Sequence, residues 1–208
     1  MLKGIYIITD EELVPGRTHV EIARAALRGG CRIIQLRDKH ASDDYMVRAG
    51  REIRRMCSDA GAIFIVNDRL EVALECDADG LHVGQQDRPA RELRALLGGK
   101  LLGVSAGNAE EAAQATRDGA DHLGVGPIYS TATKSDAGAA TGLGLIQAAR
   151  GASRGLPIVA IGGINESNLA EVSRAGADSA AIISAVVCAP DMAEATRRLV
   201  RIWDESLA

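Results

Sequence analysis

Residues 109–126 read Ala-Glu-Glu-Ala-Ala-Gln-Ala-Thr-Arg-Asp-Gly-Ala-Asp-His-Leu-Gly-Val-Gly. Ala109–Asp118 is a run of helix formers with Asn108 in front of it as N-cap. Gly119 follows, where a helix end favours a left-handed glycine. Ala120-Asp121 then leads into His122–Val125, a short apolar run closed by Gly126, which predicts a buried strand. The same unit recurs along the whole chain. Apolar runs lie at Ile5–Thr9, Arg32–Leu36, Ile63–Val66, Gly80–Val83, Leu101–Val104, His122–Val125, Ile158–Ile161 and Ser179–Ile183. Amphipathic stretches follow at Thr18–Arg28, Ser42–Ala60, Arg69–Glu75, Pro89–Leu97, Ala109–Asp118, Gly142–Ala149, Glu166–Ala175 and Asp191–Asp204. Ser42 suits an N-cap and Pro89 a first turn, and Gly29, Gly61, Gly98 and Gly176 suit left-handed caps. Strict alternation of strand and helix predicts a parallel sheet, and eight units predict one closed (β/α)8 barrel of the TIM type over residues 1–208. The chain is short for that barrel, so most loops must be brief.

Every second unit rhymes. Gly30-Cys31-Arg32-Ile33, Asp77-Ala78-Asp79-Gly80, Gly119-Ala120-Asp121-His122 and Gly176-Ala177-Asp178-Ser179 each close a helix and open a strand. Layering of a barrel interior by alternate strands would produce that rhythm, and a common helix-to-strand connector would also produce it. The longest gap holds residues 126–144, rich in Gly, Ala, Thr and Ser. A loop of that length in a compact domain is usually functional, so it is expected to be an active-site loop; the bland reading is a disordered insertion.

Composition excludes several classes. Lys and Arg number 24 against 28 Asp and Glu, a net charge of −4, which speaks against a non-specific nucleic-acid binder. One Phe, one Trp and three Tyr leave little for a base-stacking platform. The start of the chain does not read as a signal peptide, and Ser179–Pro190 is too short to span a bilayer. Cys31, Cys57, Cys76 and Cys188 show no metal-type spacing and read as small buried hydrophobes in a reducing cytoplasm. His19, His40 and His122 read as surface or junction residues.

Chemistry in such a barrel sits where strands end. Gln35, Arg37 and Lys39 alternate beyond the second strand and share one face; the two cations suit a phosphate group, or salt bridges to nearby carboxylates. Asp68 and Asp87 follow the third and fourth strands. Each alone reads as a helix cap; together, facing Arg37, Lys39 and Lys134, they suit Mg²⁺ held with waters and phosphate oxygens. Gly162-Gly163 and Ile183-Ser184 follow the seventh and eighth strands, where this fold often cradles a phosphate, although a plain tight turn would look the same. His82 reads as a hydrogen-bonded core histidine. Two anion sites on one rim point to two phosphorylated substrates, with diphosphate leaving from one.

Assembled, these segments resemble the thiamine-phosphate synthase family over nearly the whole chain. The resemblance is carried by Tyr6-Ile7-Ile8-Thr9-Asp10, Gln35-Leu36-Arg37-Asp38-Lys39, Val66-Asn67-Asp68-Arg69, 79–87, Gly124–Tyr129, Thr131-Ala132-Thr133-Lys134, Ala160–Ile164 and Ile183-Ser184-Ala185. It implies coupling of hydroxymethylpyrimidine diphosphate to a thiazole phosphate, giving thiamine phosphate and diphosphate. It implies that the pyrimidine diphosphate meets Gln35, Leu36, Arg37, Asp38, Lys39, Asn67, Ser105 and Lys134. Mg²⁺ falls to Asp68 and Asp87, and the thiazole phosphate to Thr131, Ala132, Thr133, Gly163, Ile183 and Ser184. Arg37, Lys39, Ser105 and Lys134 are then the catalytic set. The chain departs from the family at Ala106-Gly107, where a bulkier polar pair is usual, and at Ser135–Thr141, where proline is frequent. A thiazole tautomerase on the same barrel would have lost the cations and carboxylates and would carry His at Pro127. A non-catalytic barrel that binds thiamine precursors would not need both sets, and a phosphosugar isomerase would want a clear acid/base pair. Neither nucleic acid nor membrane is an expected partner, and nothing in the sequence sets the oligomeric state.

Overall fold

The computed structural model describes residues 2–131, 133 and 138–207. The strands are β1 Gly4–Ile8, β2 Ile33–Leu36, β3 Ile63–Asn67, β4 Gly80–Val83, β5 Leu101–Ala106, β6 His122–Val125, β7 Ile158–Ile161 and β8 Ser179–Ile182. The helices among the described residues are α1 His19–Arg28, α2 Asp43–Ala60, α3 Leu70–Glu75, α4 Ala90–Leu97, α5 Ala109–Arg117, α6 Gly144–Ala152, α7 Leu169–Arg174, α8 Ser184–Val187 and α9 Met192–Ser206. Each strand pairs in parallel with its sequence neighbours, and β8 returns to β1, which closes the expected eight-stranded barrel. Tyr6 stands opposite Ile33 on one side and Ala181 on the other.

Period-2 alternation divides the apolar residues between two cores. Leu2, Tyr6, Ile8, Ile33, Ile65, Val159 and Ala181 fill the barrel interior. Ile5, Ile7, Ile34, Leu36, Phe64, Val66 and Leu81 face outward and pack with the helices. Ser42 and Asn108 cap α2 and α5 as expected, their side chains accepting from Tyr45 N and Glu111 N. Pro89 sits one residue before α4, as its N-cap.

Several expectations need correction. Gly29 is right-handed at φ −76°, and Gly30 takes the positive φ of 98°. Gly29 is required instead by packing, since a Cβ there would lie 2.4 Å from Thr196 Cβ. The sixth helix starts at Gly144, not Gly142, because Gly142 N is bound to Ile128 O in the preceding loop. The seventh starts at Leu169, not Glu166, because Asn165 N donates to Asn168 Oδ1 and Ser167 N to Asn165 Oδ1, prolonging the turn. The short α8 had no sequence signal. His19 and His122 stand at junctions, opening α1 and β6, but are fully buried and not on the surface, whereas His40 is exposed. His122 points into the barrel, where Gly103 makes room: a Cβ on Gly103 would stand 2.2 Å from His122 Nε2. Of the cysteines, Cys188 is exposed.

The rhyme has a physical source. Asp79 Oδ2 accepts from Phe64 N and Arg54 Nη1. Asp121 Oδ2 accepts from Leu102 N and Arg94 Nη1, and Asp178 Oδ2 from Ile158 N and Arg150 Nη2. Each aspartate ties the start of the preceding strand to the helix before that strand, α2, α4 and α6 in turn, at the end of the barrel remote from the strand C-termini. Arg32 stands where the second unit would carry its aspartate, and that unit lacks the clamp. Charge-assisted bonds contribute about 1.5–3 kcal/mol each, less where solvent screens them. Asp121→Ala should therefore cost about 2 kcal/mol in denaturant unfolding; a midpoint equal to that of the parent protein would show that the clamp is idle.

Candidate active site

The C-terminal ends of the strands surround a pocket of about 590 Å³. Gln35, Arg37 and Lys39 line it from β2 and the chain just beyond it, Asn67 and Asp68 from β3 and its loop, and Asp87 from the loop after β4. Ser105 lines it from β5, Thr131 and Thr133 from the long loop, and Gly163, Ile183 and Ser184 from the far rim. Leu36 and Asp38 are placed differently. The Leu36 side chain is buried in the outer core, and Asp38 turns away to accept from His40 N and Ala41 N. Ala132 and Lys134, with Ser135, Asp136 and Ala137 of the same loop, lie outside the described residues.

The carboxylate pair is the chemical centre of the near rim. Asp68 has φ 61°, a left-handed conformation that aspartate tolerates better than most residues. It does not cap α3: Arg69 holds the N-cap position without a side-chain bond. Asp87 does not cap α4 either; its Oδ2 accepts from Gly84 N at 2.7 Å. Both carboxyls are thus turned into the pocket, hydrogen-bonded to each other. Burial first, then the Asp87 hydrogen bond and charge, push the Asp68 carboxyl up to about 6, while Lys39 and Arg37 pull it back. Two carboxylates that compete for one proton beside two cations form a set that a divalent cation and an anion can satisfy together. Arg37 also meets Asp10 at 3.5 Å, a loose contact in which Asp10 Oδ1 is already held by Glu12 N and Leu13 N.

The floor is polar. Gln35 Nε2 donates to Tyr6 OH at 2.8 Å, and burial raises the Tyr6 phenol above its ordinary range. Ser105 Oγ lies 3.1 Å from His82 Nε2, and His82 Nδ1 lies 3.4 Å from His122 Nε2. Burial, with the charge of His82, holds the His122 imidazole well below its usual range, so it stays neutral beneath the site. The opposite rim is backbone-rich. Gly162 and Gly163 have φ 104° and 64°, and a Cβ on Gly163 would meet Ser130 O at 2.5 Å. Both positions therefore demand glycine, and the first turn of α8 opens beside them with Ser184 on the pocket wall.

Three lining residues escaped the reading of single segments. His82 looked like a core residue, yet it lines the pocket. Gln85 Nε2 donates to Ser105 O at 2.5 Å. Glu111, not singled out in the sequence, partners the Asn108 cap, while its Oε2 accepts from Gly107 N at 2.7 Å on the pocket edge. Its signal was present in the Ala106-Gly107 departure: a small residue pair leaves the rim open to a glutamate from the helix.

Residues 5–186 match the family model described as thiamine monophosphate synthase. The thiamine-phosphate synthase of Chloroflexus aurantiacus is 53% identical over 195 residues, 94% of this chain and 90% of that one. That of Methanospirillum hungatei is 52% identical over 204 residues, 98% of each chain. The solved thiamine phosphate pyrophosphorylase of Pyrococcus furiosus superposes with a TM-score of 0.91 at 39% identity, covering 99% of this chain and 97% of that one. A closed parallel barrel with cations and paired carboxylates on one rim and a glycine cradle on the other belongs, with this degree of likeness, to the thiamine-phosphate synthase family, which couples a pyrimidine diphosphate to a thiazole phosphate in thiamine biosynthesis.

Proposed function

We propose that the chain binds hydroxymethylpyrimidine diphosphate at the β2–β4 rim and thiazole phosphate at the β6–β8 rim, with Mg²⁺ as cofactor at Asp68 and Asp87. The observation that carries this reading is the Asp68–Asp87 pair turned into the pocket and acted on by Arg37 and Lys39. A divalent cation bound there would neutralise charge on the departing diphosphate.

The chain's own residues do the rest. Arg37 and Lys39, joined by Lys134 from the long loop, hold the diphosphate oxygens and favour the charge that develops as it leaves. The bond between the pyrimidine methylene carbon and the diphosphate oxygen breaks, and its electron pair leaves with the diphosphate. The electron-rich aminopyrimidine carries the resulting cation. The lone pair of the thiazole nitrogen then forms the new C–N bond, so no proton transfer is required. Ser105 Oγ, held by His82, donates at the pyrimidine, with Asn67 and Gln35 beside it. Thr131, Thr133, Gly163, Ile183 and Ser184 anchor the thiazole phosphate so that its nitrogen is oriented for attack. Loop 126–144 excludes water, which would otherwise capture the cation.

Three buried unpaired thiols, Cys31, Cys57 and Cys76, suit a reducing cytoplasm as the place of this reaction. Among the described residues no helix is long and apolar enough to cross a membrane. The direct test mixes both phosphorylated precursors with the protein and Mg²⁺ and follows thiamine phosphate and diphosphate. Equimolar formation of the two is expected. Binding of both precursors without product would replace the reading with a precursor-sensing barrel.

A further inference from the structure

A second cluster of ionisable groups lies behind the β1–β2 rim, outside the pocket. His19 opens α1 and is fully buried, with Nδ1 2.8 Å from Thr9 Oγ1. Its Nε2 faces two carboxylates, Asp38 Oδ2 at 3.3 Å and Glu11 Oε1 at 3.6 Å. The ligand atoms of the three residues all lie within 4.8 Å of one another.

These separations exceed those of good N–H···O bonds, about 2.7–3.2 Å. A ring nitrogen also carries at most one proton and cannot satisfy two carboxylates with it. The 3.3 Å between His19 Nε2 and Asp38 Oδ2 instead matches an edge of a tetrahedral ion site, since metal–ligand bonds of about 2.0–2.2 Å give edges of about 3.3–3.6 Å. The outer partners are already set, as metal ligands require. Thr9 fixes the other ring nitrogen of His19. His40 N and Ala41 N hold Asp38 Oδ1 at 2.7 Å each, leaving Oδ2 toward the ring. Tyr45 OH at 2.6 Å and His19 N both donate to Glu11 Oε1, filling its two lone pairs and leaving Oε2 as the Glu11 ligand atom. Two carboxylates and a neutral imidazole carry two negative charges, which one divalent cation cancels. Glu11 is partly exposed and leaves an entry path and a fourth position for water.

We propose that Glu11, His19 and Asp38 form a three-ligand site for a zinc-class divalent cation, separate from the Asp68–Asp87 pair. The imidazole favours zinc-class ions over Mg²⁺, which takes oxygen ligands. The site joins the loop after β1, the start of α1 and the loop after β2. Its Asp38 stands between Arg37 and Lys39, so a bound ion clamps the segment that presents both cations to the pocket.

The test uses the full chain, stripped of metal, carrying Asp68→Asn, Asp87→Asn and Cys188→Ser to silence the pocket pair and the exposed thiol. Zn²⁺ alone is the probe, read by equilibrium dialysis and calorimetry. One equivalent should bind, raise the melting temperature and resist a tenfold excess of Mg²⁺. Adding Glu11→Gln or His19→Gln should weaken it at least about 100-fold, beyond the ~10–100-fold that outer partners cost. Should buried His19→Gln fail to fold, Glu11→Gln, at a partly exposed position, decides the matter once its metal-free circular dichroism matches the parent. Absence of stoichiometric binding at micromolar Zn²⁺, or binding unchanged by Glu11→Gln, overturns the proposal.

Discussion

Asp68→Asn should lower turnover at limiting Mg²⁺ at least about 100-fold, a loss of roughly 2.7 kcal/mol of transition-state stabilisation, and yet stabilise the metal-free fold at alkaline pH. Both effects come from one carboxyl. In turnover it is one of two acidic groups that would hold the cation opposite the diphosphate. In the metal-free protein it is a partly buried acid facing a second acid, pushed up from 3.8 to about 6. The fold therefore binds this proton more tightly than the unfolded chain does. Its contribution to stability is full below the ordinary carboxyl range and is lost as pH rises through about 6, where ionisation places two negative charges together. Asn carries no such charge and tolerates the φ of 61° as well as Asp does. In chelator, the variant should thus melt above the parent at pH 8, with the gap closing toward pH 4.5. Thermal melts at the two pH values, paired with a Mg²⁺ titration of turnover, check both halves. A parent-like rate at limiting Mg²⁺ would remove Asp68 from the metal site, and a gap of the opposite sign would remove the mutual repulsion.

The fold was open to reading because its signal is local. Gly80–Val83, His122–Val125 and Ile158–Ile161 fall where the apolar runs begin and end, since each is a largely buried strand bounded by loop-forming residues. The near rim was legible for a similar reason: alternation through the end of β2 and beyond it puts Gln35, Arg37 and Lys39 on one face wherever the strand goes. What stayed hidden depends on distant chain. His122 looks superficial until Gly103 on β5 and Gly124 on β6 open the barrel interior to the two imidazoles, tilted against each other. His19 looks like a surface helix start until Thr9 and Asp38 converge on it. Asp68 and Asp87 were ambiguous between cap and ligand, and only backbone geometry separates these: Arg69 and Pro89 occupy the two N-cap positions, which frees both carboxyls. The rhyme of Asp79, Asp121 and Asp178 was visible as a pattern, but its cause was not, because each aspartate bonds to a strand start 15 to 20 residues back.

Gly126→Ala tests how the rim that would hold the thiazole phosphate is built. A Cβ at Gly126 would stand 2.1 Å from Ile161 O, and the obstacle is backbone rather than a side chain that could swing aside. That same carbonyl accepts Ile128 N at 2.9 Å, and the next one, Gly162 O, accepts Tyr129 N at 3.0 Å. Relieving the clash therefore parts the long loop from β7 and breaks the two bonds that seat it over Gly162 and Gly163. Overpacking of this kind costs about 1–3 kcal/mol, and more where the neighbour cannot yield. The expected result is a loss of about 3 kcal/mol in denaturant unfolding, with a KM for the thiazole phosphate that rises more than that for the pyrimidine diphosphate. Gly151→Ala is the matched comparison. Gly151 lies inside α6 with nothing within 4 Å of its Cβ position, so the same added methyl should stabilise by about 0.5–1 kcal/mol through helix propensity. Opposite signs for one chemical change, set by what each glycine faces, are the signature of a rim held together by backbone contact. If both variants unfold at the parent midpoint, the loop is not seated on β7 as described.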